Sequence, residues 1–244
     1  NGDLHFTFMY HSSWDVGYRK YMTGRWDENP ATLTYDTSIP GEIPDAEADD
    51  HYGMPKVAAT TDGRPAVVWA PFKGPGLGVG PVYYHAYDNG SWSFPQVATG
   101  GFPPSIQNPT FPDISISPDN EMHVTASLLY PDFEMQMIGL VTAPFGKNAS
   151  WSSPFTIEYT RKAKSAISDF DKFGNFHIVW NNEPSSYCST AAYRKYTAAG
   201  GWTEPEFVTQ REDCFITAYV ELDGNGEPWV SYSGFQYNPE AYLA

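Results

Sequence analysis

The stretch Gly174-Asn175-Phe176-His177-Ile178-Val179-Trp180, followed by Tyr193-Arg194-Lys195-Tyr196 and then Gly201-Trp202-Thr203-Glu204-Pro205, is written several times along this chain. Its last element, Trp-x-x-Pro, returns as Trp92-Ser93-Phe94-Pro95 and Trp151-Ser152-Ser153-Pro154, with a looser copy at Trp26-Asp27-Glu28-Asn29-Pro30. Its middle element is unchanged at Tyr18-Arg19-Lys20-Tyr21 and returns as Tyr84-His85-Ala86-Tyr87. Its first element has five copies, each a turn residue and a short apolar run, beginning at Gly2, Gly63, Asn120, Gly174 and Gly226. A turn rich in Asp, Asn and Gly before such a run is a hairpin signal. Repeats at a fixed period point to stacked supersecondary units.

Upstream of four of these turns lies another strand with small side chains: Ala58 and Ala59, Ser115 and Ser117, Ser165, Ala166 and Ser168, and Thr217 and Ala218. Small residues suit an innermost strand where several sheets converge on one axis. Each unit therefore reads as a four-stranded antiparallel blade, and the chain as an all-β β-propeller of about five blades over residues 1–244. Radial repetition leaves only short protected edges. The blades run approximately over 1–35, 50–100, 108–159, 161–209 and 211–244. The first and last are incomplete: Asn1 begins at a second strand and Ala244 ends on a third. The two missing strands would be consecutive in sequence, so the natural chain is expected to continue past Ala244 by a hairpin or by further blades.

Composition sets the outer bounds. The 244 residues include 14 Lys+Arg against 29 Asp+Glu, a net charge of −15, with 41% hydrophobic and 16% aromatic residues. That much apolar material excludes a disordered chain. Apolar runs such as Pro65 to Pro71 fall far short of the roughly 20 residues of a membrane-spanning helix, so no membrane span is expected. The negative balance repels phosphate backbones, and no nucleic-acid partner is expected. The sequons Asn89-Gly90-Ser91 and Asn148-Ala149-Ser150 tilt the reading towards an extracellular protein. Cys188 and Cys214 are either one disulfide or two buried thiols.

The repeat of small inner strand, Asp-Gly turn, His-hydrophobic-hydrophobic-Trp, Tyr-x-x-Tyr and Gly-x-Trp-x-x-Pro resembles the sialidase-like or BNR-type β-propeller superfamily over nearly the whole chain. The Ser-x-Asp-x-Gly-x-x-Trp box of true sialidases is absent before Trp92, Trp151 and Trp202, so the resemblance is one of fold. It implies a range of activities: sialidases, polysaccharide lyases, other glycan-active enzymes, lectins and protein receptors. Fold does not choose among them.

A residue recurring at one blade position reads as scaffold, whereas a function performed once needs unique residues. His5, His123 and His177 share a position, and His85 aligns with Arg19 and Arg194, which leaves His11 and His51 unexplained. Both fall in connections expected to open on one end of the propeller. The same connections carry Trp14, Asp50, Tyr52, Tyr130, Arg161, Lys164, Arg211 and Asp213. Aromatic rings stack on the apolar face of a pyranose while Asp and Arg bind its hydroxyls or carboxylate, so the expected partner is an oligosaccharide or polysaccharide. His51, His11, Asp50 and Tyr52 are the expected catalytic group. Arg161, Arg211, Lys164, Asp213, Tyr130 and Trp14 are the expected substrate-binding group.

A hydrolase would use paired carboxylates from this set. A uronate lyase would use a cation with a His or Tyr base. Whether the chain is an enzyme stays open: a lectin with sugar sites between blades and a protein-interaction platform are the alternatives, and loop charges paired as Arg161 with Asp213 or Glu212 would be the plainest reading of the rim. The dissimilar rim segments favour one central site over repeated ones. No cofactor is called for, and neither a zinc nor an EF-hand spacing is present, so no metal is expected.

Overall fold

A computed structural model describes residues 3–9, 16–22, 25–26, 31–32, 50–73, 77–78, 81–99, 107–129, 136–160, 163–182, 190–208 and 213–236, all of it strand, turn or connection. The strands form antiparallel sheets in chain order. The first holds β1 (Leu4–Met9), β2 (Val16–Met22), β3 (Arg25–Trp26) and β4 (Ala31–Thr32). The second holds β5 (Asp50–Ala59), β6 (Pro65–Lys73), β7 (Leu77–Gly78), β8 (Tyr83–Asp88), β9 (Ser91–Trp92) and β10 (Gln96–Val97). The third is β11 (Gln107–Ile116), β12 (Glu121–Leu129), β13 (Gln136–Pro144) and β14 (Phe155–Thr160). The fourth is β15 (Ala163–Phe170), β16 (Phe176–Asn182), β17 (Thr190–Thr197), β18 (Gly201–Trp202) and β19 (Glu206–Phe207). A hairpin of β20 (Asp213–Leu222) and β21 (Pro228–Gln236) follows. The third strand expected after it lies outside the described residues.

The turn between first and second strands is built the same way four times. Thr60, Ser117, Asp171 and Asp223 each accept, on a side-chain oxygen, the backbone N–H four residues on, at 2.9, 3.0, 2.8 and 3.0 Å. Their carbonyls accept the N–H of Gly63, Asn120, Gly174 and Gly226. Those four residues have φ of 86, 62, 80 and 88°, the left-handed step that closes a three-residue hairpin loop. This is why the repeat begins with Gly or Asn. Asn89 and Gly90, with φ of 50 and 80°, make the two-residue turn between β8 and β9.

The Trp-x-x-Pro element marks the outermost strand. Proline has no N–H for the ladder, so the strand is split at it: β9 and β10 flank Pro95 and both pair with β8, while β18 and β19 flank Pro205 and both pair with β17. The tryptophan packs onto the preceding sheet. Trp92 meets Tyr18 edge-on at 4.8 Å, Trp151 meets Tyr84 at 5.1 Å, and Trp202 stacks on Phe155 at 5.8 Å.

Alternate residues along a strand point to opposite faces, and here both faces are covered. On β6, Ala66, Val68 and Ala70 join Met122, Val124, Leu128 and Val141 of the third sheet, while Val67 and Trp69 join Val16 and Tyr18 of the first. Phe176, Ile178 and Trp180 of β16 likewise meet Ile138 and Ile157 of the third sheet, and Val179 meets Ala218 and Val220 of β20. Trp69 and Trp180 are fully buried, as packing residues between sheets. The recurring histidines are structural too: His5 and His177 hold Tyr18 and Tyr193 through Nδ1 at 2.6 and 2.8 Å. His85 Nδ1 donates to the Ser93 carbonyl at 2.8 Å, the bond that Arg194 Nε makes to Thr203.

Asp171 is the most heavily used turn residue. Its Oδ1 accepts the N–H of Phe173 and Asn175, and its Oδ2 accepts Asn175 Nδ2 and lies 3.4 Å from His177 Nε2. It is 3% exposed and abuts Gly226 of the next turn, where an added Cβ would stand 3.1 Å from that of Asp171. Asp171→Ala strands three part-buried donors and the buried His177 and is expected to cost about 3 kcal/mol in urea unfolding. Gly226→Ala, strained in φ and crowded, is expected to cost about 1–2 kcal/mol in the same measurement.

Candidate functional site

The first strands of consecutive sheets, β5, β11, β15 and β20, lie beside one another, which their small residues permit. Ser115 Oγ is 3.2 Å from Ser168 Oγ between β11 and β15. Lower down, Lys172 Nζ reaches the Gly224 carbonyl at 2.7 Å between the turns that end β15 and β20. Ile167 of β15 also packs in one cluster with Ala218 and Val220 of β20, so β15 and β20 touch both along their length and at their turns, run in the same direction and share an end for their N-termini.

Three of these strands are bulged at the same level. Two residues stand opposite one at Met54-Pro55, Phe111-Pro112 and Ser165-Ala166, where the register shifts. Phe111 and Ser165 have φ of 50°, an unfavourable conformation for a side chain with a Cβ, and such strain gathers at ligand sites. The bulges border a cavity of about 260 Å³ lined by Lys56, Phe111, Pro112, Ser165, Ala166, Ile167 and Tyr219. That is somewhat below the ~300–1,000 Å³ of pockets for drug-sized ligands, and of a size for one sugar ring.

Lys56, Asp113, Ile167 and Tyr219 occupy equivalent positions, opposite Val68, Thr125, Val179 and Ser231. Lys56 Nζ lies over the Tyr219 ring, 5.6 Å from its centroid, and Tyr219 is 46% exposed. Asp113 stands beside the cavity and is 5% exposed. Its Oδ2 accepts the N–H of Ser168 at 2.7 Å and the Ser168 hydroxyl at 2.9 Å. Burial pushes the Asp113 carboxyl up to about 6, against the charge of Lys56 and the two Ser168 bonds, while Asp169 adds to the upward push. Burial also raises Asp169 above the usual carboxylate range, with Glu221 contributing. The site thus joins an aromatic platform, an ammonium donor and a carboxyl that is half protonated in mildly acid solution. Among the described residues no three His, Cys, Asp or Glu side chains converge as metal ligands.

Of the residues expected from sequence, His11, Trp14, Tyr130, Arg161 and Arg211 lie outside the described residues, as does Cys188. Asp50, His51 and Tyr52 open β5, Lys164 is the second residue of β15 and Asp213 opens β20, and of these the backbone alone is described. Their strand positions bring them to the same end of the inner strands, above the cavity. Lys56, Asp113 and Tyr219 are not apparent from the connections, because they lie inside the inner strands β5, β11 and β20. Laying the inner strands in register exposes them, since that one level carries Lys, Asp, Ile and Tyr in turn.

No protein family's sequence profile matches the chain, and no curated protein matches it. Solved structures do. A Hadza microbial sialidase superposes on 89% of this chain with a TM-score of 0.60 at 15% identity, and this chain covers 46% of that one. The GH93 α-L-arabinofuranosidase of Fusarium graminearum, solved with arabinobiose, superposes on 75% with a TM-score of 0.59 at 9% identity, with 56% of that chain covered. The α-L-arabinofuranosidase of Lactobacillus brevis superposes on 98% with a TM-score of 0.57 at 10% identity, with 81% of that chain covered. The chain spans about half the length of the first two. At these identities the likeness is one of fold: an all-β, glycosidase-like propeller fold. No helix among the described residues is long and apolar enough to cross a membrane.

A raised carboxyl binds its proton more tightly in the folded than in the unfolded chain, so stability falls as pH rises from about 4 to about 6. At 1.36 kcal/mol per unit, Asp113 accounts for roughly 3 kcal/mol of that loss. Asp113→Asn should remove this component, seen as a narrowing gap between unfolding free energies at the two ends of the range.

Proposed function

We propose that this chain is a secreted, carbohydrate-recognising β-propeller of about five four-stranded blades, the first and last incomplete, with one glycan site at the centre. The observation that carries the reading is the cavity where the inner strands meet, with exposed Tyr219 and Lys56 beside the buried carboxyl of Asp113. A ring of Tyr219's exposure offers a stacking surface for the apolar face of a pyranose, and Lys56 and Ser165 offer polar partners for its hydroxyls. The four equivalent positions carry four different residues, which favours a single site over one repeated in every blade. The solved structures sharing the fold include a sialidase, arabinofuranosidases and an exo-β-1,3-galactanase from Clostridium thermocellum, which supports a carbohydrate ligand.

In this reading the strand ends carrying Asp50, His51, Tyr52, Lys164 and Asp213 extend the site outward for the rest of the chain of sugars. Catalysis by the site would be hydrolysis or elimination. Export is consistent with the two sequons, whose Asn89 and Asn148 are both exposed.

The test is incubation with neutral and uronic-acid-containing glycans followed by mass spectrometry. Products with added water mean hydrolysis, unsaturated products without it mean elimination, and binding without products means a lectin. Tyr219→Ala is expected to weaken binding about tenfold, roughly 1.4 kcal/mol. A panel neither bound nor cleaved, or a Tyr219→Ala protein that binds unchanged, overturns the reading.

A further inference from the structure

Lys56 is the one cation lining the cavity, among walls formed by Phe111, Pro112, Ala166 and Ile167. Among the described residues it forms no ion pair, and its ammonium rests on Tyr219. Asp113, whose carboxylate is held by its two bonds to Ser168, is close enough to feel the charge of Lys56. Ionised Asp113 offsets the charge of Lys56, and protonated Asp113 leaves that charge without this counterweight at the cavity.

We propose that the cavity is an anion subsite, in which Lys56 takes the carboxylate or sulfate of an acidic sugar packed on Tyr219 and Asp113 takes up a proton as the anion binds. The inference rests on the carbohydrate reading above and names the class of sugar. An anion arriving beside ionised Asp113 meets a like charge in a low dielectric, which the proton removes. By linkage, the ligand raises the proton affinity of Asp113 and the proton raises the affinity for the ligand.

Other titratable groups stand around Asp113. On β15, Asp169 lies two residues beyond Ile167 and adds negative charge that favours the proton on Asp113, while burial, with Glu221 of β20 contributing, raises Asp169 itself. On β12, His123 is held below the ordinary histidine range by burial, against its bond to Glu121. On β16, His177 is likewise lowered by burial and is engaged with Asp171 and Tyr193. The described side chains of β6, Pro65 to Ala70, carry no titratable group.

With a carboxyl at about 6, the protonated fraction falls about tenfold between pH 5 and 7, and the apparent affinity for an acidic sugar falls with it. Calorimetric titration with methyl β-D-glucuronide, glucose 6-sulfate and methyl β-D-glucoside across about pH 5 to 7 tests this. The acidic ligands should bind more tightly, about tenfold better at the acid end, with proton uptake visible as a dependence of the heat on buffer. The glucuronide and the sulfate ester tell carboxylate from sulfate selection.

Lys56→Met should abolish the preference for the acidic ligands and leave the neutral one bound. Asp113→Asn should hold the acidic affinity at its acid-end value throughout. Should that variant fold poorly, Ser168→Ala removes one donor to the carboxylate and should shift the pH midpoint upward. A neutral glycoside that binds as well as the glucuronide, or a wild-type affinity flat across the range, overturns the anion subsite and leaves the carbohydrate reading standing. Failure of all three ligands to bind overturns both.

Discussion

Each interior sheet of this protein must bury both of its faces, and everything else follows from that demand. A strand such as β16, with Phe176, Ile178 and Trp180 on one side and Val179 on the other, has no side left for water. At about 1.5–3 kcal/mol for each large side chain removed from water, no sheet here would persist without its neighbours. The sheets therefore stack face to face in chain order, with Trp92, Trp151 and Trp202 each locking onto an aromatic residue of the sheet before it.

Stacking twisted sheets in this way draws their first strands together, and crowding then dictates the inner side chains. Small residues such as Ala58, Ser115, Ala166, Ser168 and Ala218 stand there, and the contact between Ser115 and Ser168 shows how little room remains. The bulges at Phe111-Pro112 and Ser165-Ala166 open the cavity against this crowding, at the expense of two residues in left-handed backbone conformations. A buried carboxyl beside a half-buried ammonium is the chemical result. Neither group would be out of the ordinary in water; burial moves the proton of Asp113 into the mildly acid range, against the opposing pull of Lys56.

Much of the scaffold was legible in the residues. The glycines and Asn120 of the turns follow from left-handed backbone, and His5 and His177 recur because each holds a tyrosine two residues off its cross-strand partner. Even departures from the pattern keep the bond: His85 replaces the arginine seen at Arg194 and still reaches the carbonyl after the tryptophan. The site was legible only in part. Non-repeating polar residues led to the ends of the inner strands, where Asp50, His51, Tyr52, Lys164 and Asp213 stand, yet Lys56, Asp113 and Tyr219 escaped notice within strands that looked like scaffold.

The sequence by itself determined the all-β class, the turns, the split outer strands and the order of the sheets, because each depends on residues within a few positions or one strand of each other. Only the tertiary structure decided that Lys56 would lie over Tyr219 and that Asp113 would be bound by Ser168 of the next sheet. Those pairs are far apart in the chain, and their meeting depends on the angle and depth at which separate sheets converge. Burial, which sets the charge of Asp113, is likewise a property of the assembled neighbours and has no local signature.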